Sequence, residues 1–153
     1  MTDTLHEAEL KLFVDSVRRY FDVTSRIEPE ITSAYLGVDA VPGHDFNGIV
    51  SFSGRYRGQV VVSLPAAALK ELLLIQKETD LSQNSLLDAV GEIANTLAGN
   101  ARRTLGKDLE ISVPKVVHGK PGSGPRTRQH PYVITFRWNR YPGVVCVDLA
   151  EAA

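Results

Sequence analysis

The sequence predicts an α+β domain: a mainly antiparallel six-stranded sheet packed by long helices, in the order α-β-β-β-α-α-β-β-β. Three observations carry that expectation. Apolar residues recur at helical spacing near the start and again across 82–106. Alternating, β-branched runs fill 31–64 and 109–149. A glycine-bearing turn, 53–58, joins two of those runs as a hairpin, so neighbouring strands pair antiparallel.

The first helix is expected over about 5–24, because Thr4-Leu5-His6-Glu7 has the form of a capping box and Leu10, Phe13 or Val14, Val17 and Phe21 follow at helical intervals. Pro29 then stops it. Strands follow over 31–38, 47–53 and 59–64. Pro65 suits the first position of a second helix over 66–77, whose apolar row is Leu69, Leu72 and Leu73. Ser82 is the expected N-cap of the third helix, about 82–106, with Leu81 and Leu86 placed as a hydrophobic staple. Strands over 109–117, 132–138 and 143–149 complete the order. No internal repeat or second domain is evident, so residues 1–153 read as one domain, a length that buries about 70% of the unfolded surface.

Composition narrows the class of molecule. With 43% hydrophobic and 23% charged residues and a net charge of −1, the chain reads as an ordinary globular protein with no electrostatic bias toward nucleic acid. No run approaches the roughly 18 apolar residues of a membrane helix, and the start has no basic flank or apolar core of a signal peptide, so no membrane partner and a cytoplasmic location are expected. Cys146, the one cysteine, lies in the alternating run Val144-Val145-Cys146-Val147 and reads as a packed strand residue rather than a nucleophile. His6, His44, His118 and His130 lack metal-ligand spacing, and no cofactor motif or nucleophile elbow is present. Residues 119–131, rich in glycine, proline and cations, read as a loop without phosphate-loop spacing. Trp138 reads as a strand residue that packs.

The third helix carries the chemistry. On a helical wheel with Glu92 at zero, Leu86, Leu87, Val90, Ile93, Ala94, Leu97, Ala101 and Leu105 occupy an arc from about 100° to 220°, wide enough to sit on a sheet. Asn84, Ser85, Asp88, Glu92, Asn95, Gly99, Arg102 and Arg103 gather on the opposite side. Gly91 and Gly99 stand inside the helix, where glycine costs about 1 kcal/mol relative to alanine. Two readings of these glycines stand open: room for a partner beside Glu92 and Asn95, or room for the protein's own neighbouring elements.

The run Asp88-Ala89-Val90-Gly91-Glu92-Ile93-Ala94-Asn95-Thr96-Leu97-Ala98-Gly99-Asn100 resembles the signature helix of the CheC/CheX/FliY family of chemotaxis phosphatases: an acidic residue, then Glu-x-x-Asn, then a glycine four residues on. The strand segments 48–54, 58–64 and 111–117 resemble the family's strands in order and spacing. A single Glu-x-x-Asn helix is the CheX-type pattern, since CheC-type members carry two. The resemblance implies hydrolysis of an aspartyl phosphate on a CheY-like response regulator that brings its own Mg2+; the chain itself needs no cofactor. It also implies roles: Asn95 positions a hydrolytic water, Glu92 pairs with the receiver's phosphate-site lysine, and Asp88, Gly91, Gly99 and Arg102 face the partner. Asp88 also suits the helix dipole, and Arg102 with Arg103 also suits a solvated helix end. A homodimer is implied by the resemblance alone. The alternative is a non-catalytic receiver-binding adaptor or dimeric scaffold that keeps the helix as a docking face.

Overall fold

The computed structural model describes residues 2–37, 43–119 and 131–151, with side chains from Glu7 to Ala150 among them. In chain order the elements are α1 (Thr2–Ser25), β1 (Glu30–Leu36), β2 (Phe46–Gly54), β3 (Tyr56–Leu64), α2 (Ala66–Ile75), α3 (Gln83–Leu105), β4 (Leu109–Ile111), β5 (Lys115–His118), β6 (Tyr132–Trp138) and β7 (Tyr141–Glu151). The α+β class and the order expected from the sequence hold, with one difference. The strand expected over 109–117 is two strands, so the sheet has seven rather than six among the described residues.

The break has a physical cause. β4 and β5 both pair with β2, Ile111 opposite Phe52 and Lys115 opposite Ile49. Ser112, Val113 and Pro114 therefore face only Val50 and Ser51, a three-against-two bulge, and Pro114 has no N–H to give the ladder. Other boundaries moved less. α1 begins at Thr2, ahead of the expected Thr4 cap. It ends where Arg26 turns left-handed at φ 62° and donates its N–H to Asp22 O at 2.9 Å. β7 starts earlier than expected because Asn139 and Arg140, both at positive φ, make a tight two-residue turn after Trp138. The expected 119–131 loop lies outside the described residues except for Gly119 and Pro131, as does His130.

The sheet runs β1-β6-β7-β3-β2, with β4 and β5 end to end along the outer edge of β2, and every pairing is antiparallel. All three helices cover one face. Between them and the sheet lies the core, anchored by Phe13, Phe21, Leu69, Leu72, Ile93, Leu97, Phe136 and Trp138. Trp138 ties the end of α1 down: its Nε1 donates to Ser25 Oγ and Ile27 O, both at 3.1 Å, and its ring stacks on Phe21 with centroids 5.3 Å apart. Farther along α1, the Tyr132 hydroxyl donates to the buried carboxylate of Glu9 at 2.9 Å. On the other face of the sheet, Cys146 packs with Val133, Val144 and Val61. Burial, and then the charge of Asp148, push its thiol up to about 12, so at neutral pH it is a small protonated core residue and no nucleophile.

The helix and sheet layers approach closely at Gly48 of β2. A Cβ there would sit 2.4 Å from Val90 O and 3.1 Å from Gly91 Cα, so the backbone of α3 lies directly on the strand. Gly48→Ala must push the helix off the sheet. The expected loss is about 1–3 kcal/mol, read as a lower urea midpoint at unchanged slope; an unchanged midpoint would show that the contact carries no strain.

Candidate functional site

Local chemistry fixes where α3 begins. Ser82 Oγ accepts from Ser85 N at 3.4 Å, and Asp80 Oδ1 accepts from Ser82 N at 2.9 Å, which holds the Asp80 carboxyl below the usual range. Leu81 is half-buried and Leu86 buried, the two halves of the expected staple. The helix ends at Gly106, φ 117°, whose N–H returns to Arg102 O at 3.0 Å.

The two wheel faces separate as expected. Leu86, Val90, Ile93, Ala94, Leu97 and Ala101 are buried, Leu87 and Leu105 partly so, and Ala89 and Ala98 join them. Asp88, Glu92, Asn95, Arg102 and Arg103 are exposed. Asp88, Glu92 and Asn95 form one exposed stripe, with successive side chains one turn apart. No side-chain hydrogen bond among the described residues engages the Asn95 carboxamide, so its oxygen and nitrogen both face solvent.

The two glycines divide. Gly91 is buried, and a Cβ there would meet Val116 Cγ1 at 2.8 Å and Pro114 Cβ at 3.5 Å, so it makes room for the β4–β5 segment of the same chain. Gly99 has nothing within 4 Å of a built Cβ and stays open beside the stripe. Arg102 is exposed, yet its Nε donates to Leu109 O at 3.0 Å, tethering the end of α3 to β4. Arg103 bonds Asn100 on the helix surface.

Sequence reasoning missed one wall of the site. An open cleft of about 260 Å³ lies between α1, α2 and the first half of α3, lined by Tyr20, Leu72, Leu73 and Gln76 facing Ser85, Asp88 and Glu92, with Glu78 and Asp80 at its end. Tyr20 is buried; desolvation, and then the charge of Glu92, raise its hydroxyl to about 12, so it stays a neutral phenol. In the sequence it is one more amphipathic helix position, and only the packing of α1 against α3 brings it to Glu92. Four carboxylates around the cleft, Glu78, Asp80, Asp88 and Glu92, give it a field that favours cations. Among the described residues no group of three or more His, Cys, Asp or Glu is arranged around a metal, and His44 and His118 stand apart from the stripe.

Residues 46–137 match the family model described as chemotaxis phosphatase CheX. The chain belongs to the CheX family. The match spans β2 to β6 and so contains all of α3, Glu92 and Asn95 included. Solved structures of similar fold include a chemotaxis protein of Desulfovibrio vulgaris Hildenborough, 21% identical over 92% of this chain and 95% of that one, TM-score 0.77. A CheX of Desulfovibrio desulfuricans is 24% identical over 92% and 97%, TM-score 0.74. A third neighbour, from a CheX-CheY-BeF3-Mg2+ complex of Borrelia burgdorferi, is 17% identical over 92% and 97%, TM-score 0.73. Among curated proteins, no sequence is significantly similar. No helix among the described residues is long and apolar enough to cross a membrane.

The same substitution two turns apart on α3 has opposite expected effects. Gly99→Ala, in open space, raises stability by about 0.5–1 kcal/mol through helix propensity, whereas Gly91→Ala lowers it by about 1 kcal/mol because Val116 must move. Thermal or urea unfolding of the two variants checks the pair, and a stabilised Gly91→Ala would contradict the packing role.

Proposed function

We propose that this CheX-family protein hydrolyses the aspartyl phosphate of a CheY-like response regulator, with Asn95 positioning the attacking water. The observation that carries this reading is the exposed Glu92 and Asn95 pair on one stripe of a rigid, sheet-backed helix. The family description supports the reaction class, and the Borrelia burgdorferi neighbour in complex with CheY supports the kind of partner.

The receiver supplies the acyl phosphate and, when bound, an Mg2+ that neutralises charge on the phosphoryl group. What the helix adds is order. The Asn95 carboxamide accepts a hydrogen bond from water through its oxygen or donates one through its nitrogen, and so holds the water in line with phosphorus. A carboxamide does not titrate, so Asn95 aims the water rather than deprotonating it. As the new P–O bond forms, the bond to the aspartyl oxygen breaks, leaving a free carboxylate, and the proton of the water goes to the phosphate product. A hundredfold acceleration asks only about 2.7 kcal/mol of this positioning. No nucleophile on this chain takes part.

Glu92 acts in docking. Its exposed carboxylate pairs with the receiver's phosphate-site lysine, and the acidic cleft beside it favours approach of that cation. Gly99 leaves open space for the receiver next to Asn95, while Asp88 and the free guanidinium end of Arg102 lie within reach of its rim. The protein works as a homodimer in this reading. β1 supports that: among the described residues it is an edge strand, with Tyr35 43% and Leu36 50% exposed, a border on which a second copy can pair.

Asn95→Ala separates catalysis from docking. With a phosphorylated, Mg2+-bound receiver from the same organism, the wild type should shorten the phosphate lifetime and Asn95→Ala should lose at least about a hundredfold of that acceleration, with receiver affinity within about twofold. Equal lifetimes with and without wild-type protein, despite binding, would instead identify an adaptor. Glu92→Gln should raise KM by about tenfold or more, as expected when a charge-assisted contact is lost; an unchanged KM would remove Glu92 from docking.

A further inference from the structure

Two arginines stand at the far end of the reactive stripe, and each is held by a neutral group of the protein itself. Arg102 donates from Nε to Leu109 O at 3.0 Å, toward β4. Arg103 donates from its guanidinium to Asn100 Oδ1, back along α3. Both arginines are exposed, and no carboxylate among the described residues, Asp108 and Glu110 included, comes within ion-pair distance of either; the ion pair found there joins Lys11 to Asp15 on α1. The helix dipole accounts for cations in the last turn of α3. It does not call for both to be fastened in place without a counter-ion.

Between them is Gly99. Helical geometry sets Arg102 about 60° to one side of it and Arg103 about 40° to the other, one turn nearer the C-terminus. Side chains on a helix lean back toward its N-terminus, as the bond from Arg103 to Asn100 does. Nothing lies within 4 Å of a Cβ built on Gly99, so the two arginines flank bare backbone. The result is a notch with a glycine floor and a cation on each wall. A guanidinium carries five N–H donors in a planar fork; each arginine spends one on the protein, and the rest suit a carboxylate. Because the forks are already ordered, little entropy is lost when they bind.

The notch completes an order of charge along one helix. Asp88 and Glu92 come first, uncharged Asn95 follows, and Arg102 and Arg103 close the row about 10–12 Å beyond Asn95 on the same exposed face. A receiver's phosphate site has complementary parts: the lysine that Glu92 takes, the phosphoryl group at Asn95, and the carboxylates that hold Mg2+. Resting on the phosphatase reading, we infer that Arg102 and Arg103 form an anion notch around Gly99 for carboxylates on the rim of that site, and with Glu92 fix which way the receiver lies along α3. Charge selects the occupant. A receiver turned end for end would set its lysine against two arginines and its carboxylates against Glu92, and like-charge contacts reject such a pose. An interface of about 800 Å² per partner is about 30 Å across, enough to cover Asn95 and the notch together.

Arg103→Gln and Arg103→Glu test the inference, because Arg103 bonds only within its own helix and its loss leaves the fold alone. Hydrolysis of the phosphorylated, Mg2+-bound receiver and its affinity are both read. KM and Kd should rise together, about fivefold for glutamine and at least about twentyfold for glutamate, with the melting temperature kept and kcat within about twofold. Wild-type KM should climb with salt, and climb less steeply when Arg102→Gln and Arg103→Gln are combined. Gly99→Ala, more stable by helix propensity, should still bind the receiver several-fold more weakly, a loss that a purely structural glycine would not show. Wild-type KM and Kd in both Arg103 variants, with active wild-type protein, would overturn the notch and leave the phosphatase reading standing. A fall in kcat at unchanged KM would overturn it too, by setting the guanidinium on the phosphoryl group. So would competition by millimolar inorganic phosphate that disappears in the variants, which would assign the notch to the product. Binding without hydrolysis, with the same fold-changes in Kd, would keep the notch and remove the phosphatase reading; a wild type that neither binds nor hydrolyses would remove both.

Discussion

Everything at the candidate site depends on how closely α3 lies on β2. Gly48 lets the carbonyl of Val90 come within what would be bonding-clash distance of a side chain, and Gly91, on the same stretch of helix, lets Val116 and Pro114 close in from the side. Glycine in these positions costs helix and strand propensity. What is gained is a helix whose backbone lies directly on the sheet at Val90 and Gly91. In the proposed reaction, a carboxamide that holds a water in line gains from such a fixed backbone.

Once the helix is seated, its exposed stripe acquires two unlike borders. On one side α1 and α2 form an acid-lined cleft walled by the neutral phenol of Tyr20. On the other, Pro114 and Val116 at the bulged edge of the sheet close in against Gly91. The stripe itself carries only two carboxylates, a carboxamide and an open glycine, which is little chemistry for an enzyme. It suffices if the partner arrives with both electrophile and metal, because aiming a water is then the remaining step. Cys146 is buried away from the stripe, on the other face of the sheet.

Much of this was legible in the residues. Helical and alternating periodicities placed every element except the split of the 109–117 strand, and the boundaries of β6 coincide with the expected ones because Pro131 and the Asn139-Arg140 turn punctuate it on both sides. The exposure of Glu92, Asn95 and Asp88 followed from the wheel alone, since burying the apolar arc of α3 leaves those side chains outside. The split of the 109–117 strand was marked by Pro114 but not decided by it, for a proline at a sheet edge is often tolerated. Pairing of both halves with β2 decided it.

What the sequence determined by itself is therefore the class, the order of elements, the family motif and which face of α3 meets solvent, all of which depend on spacing within one segment. Whether Gly91 served a partner or the protein's own strand, that Tyr20 stands beside Glu92, and that Arg102 is tied to Leu109 were decided only by tertiary structure. The physical reason is the same in each case. These relations join residues from different elements, and no local periodicity encodes the distance between two surfaces until packing has closed it.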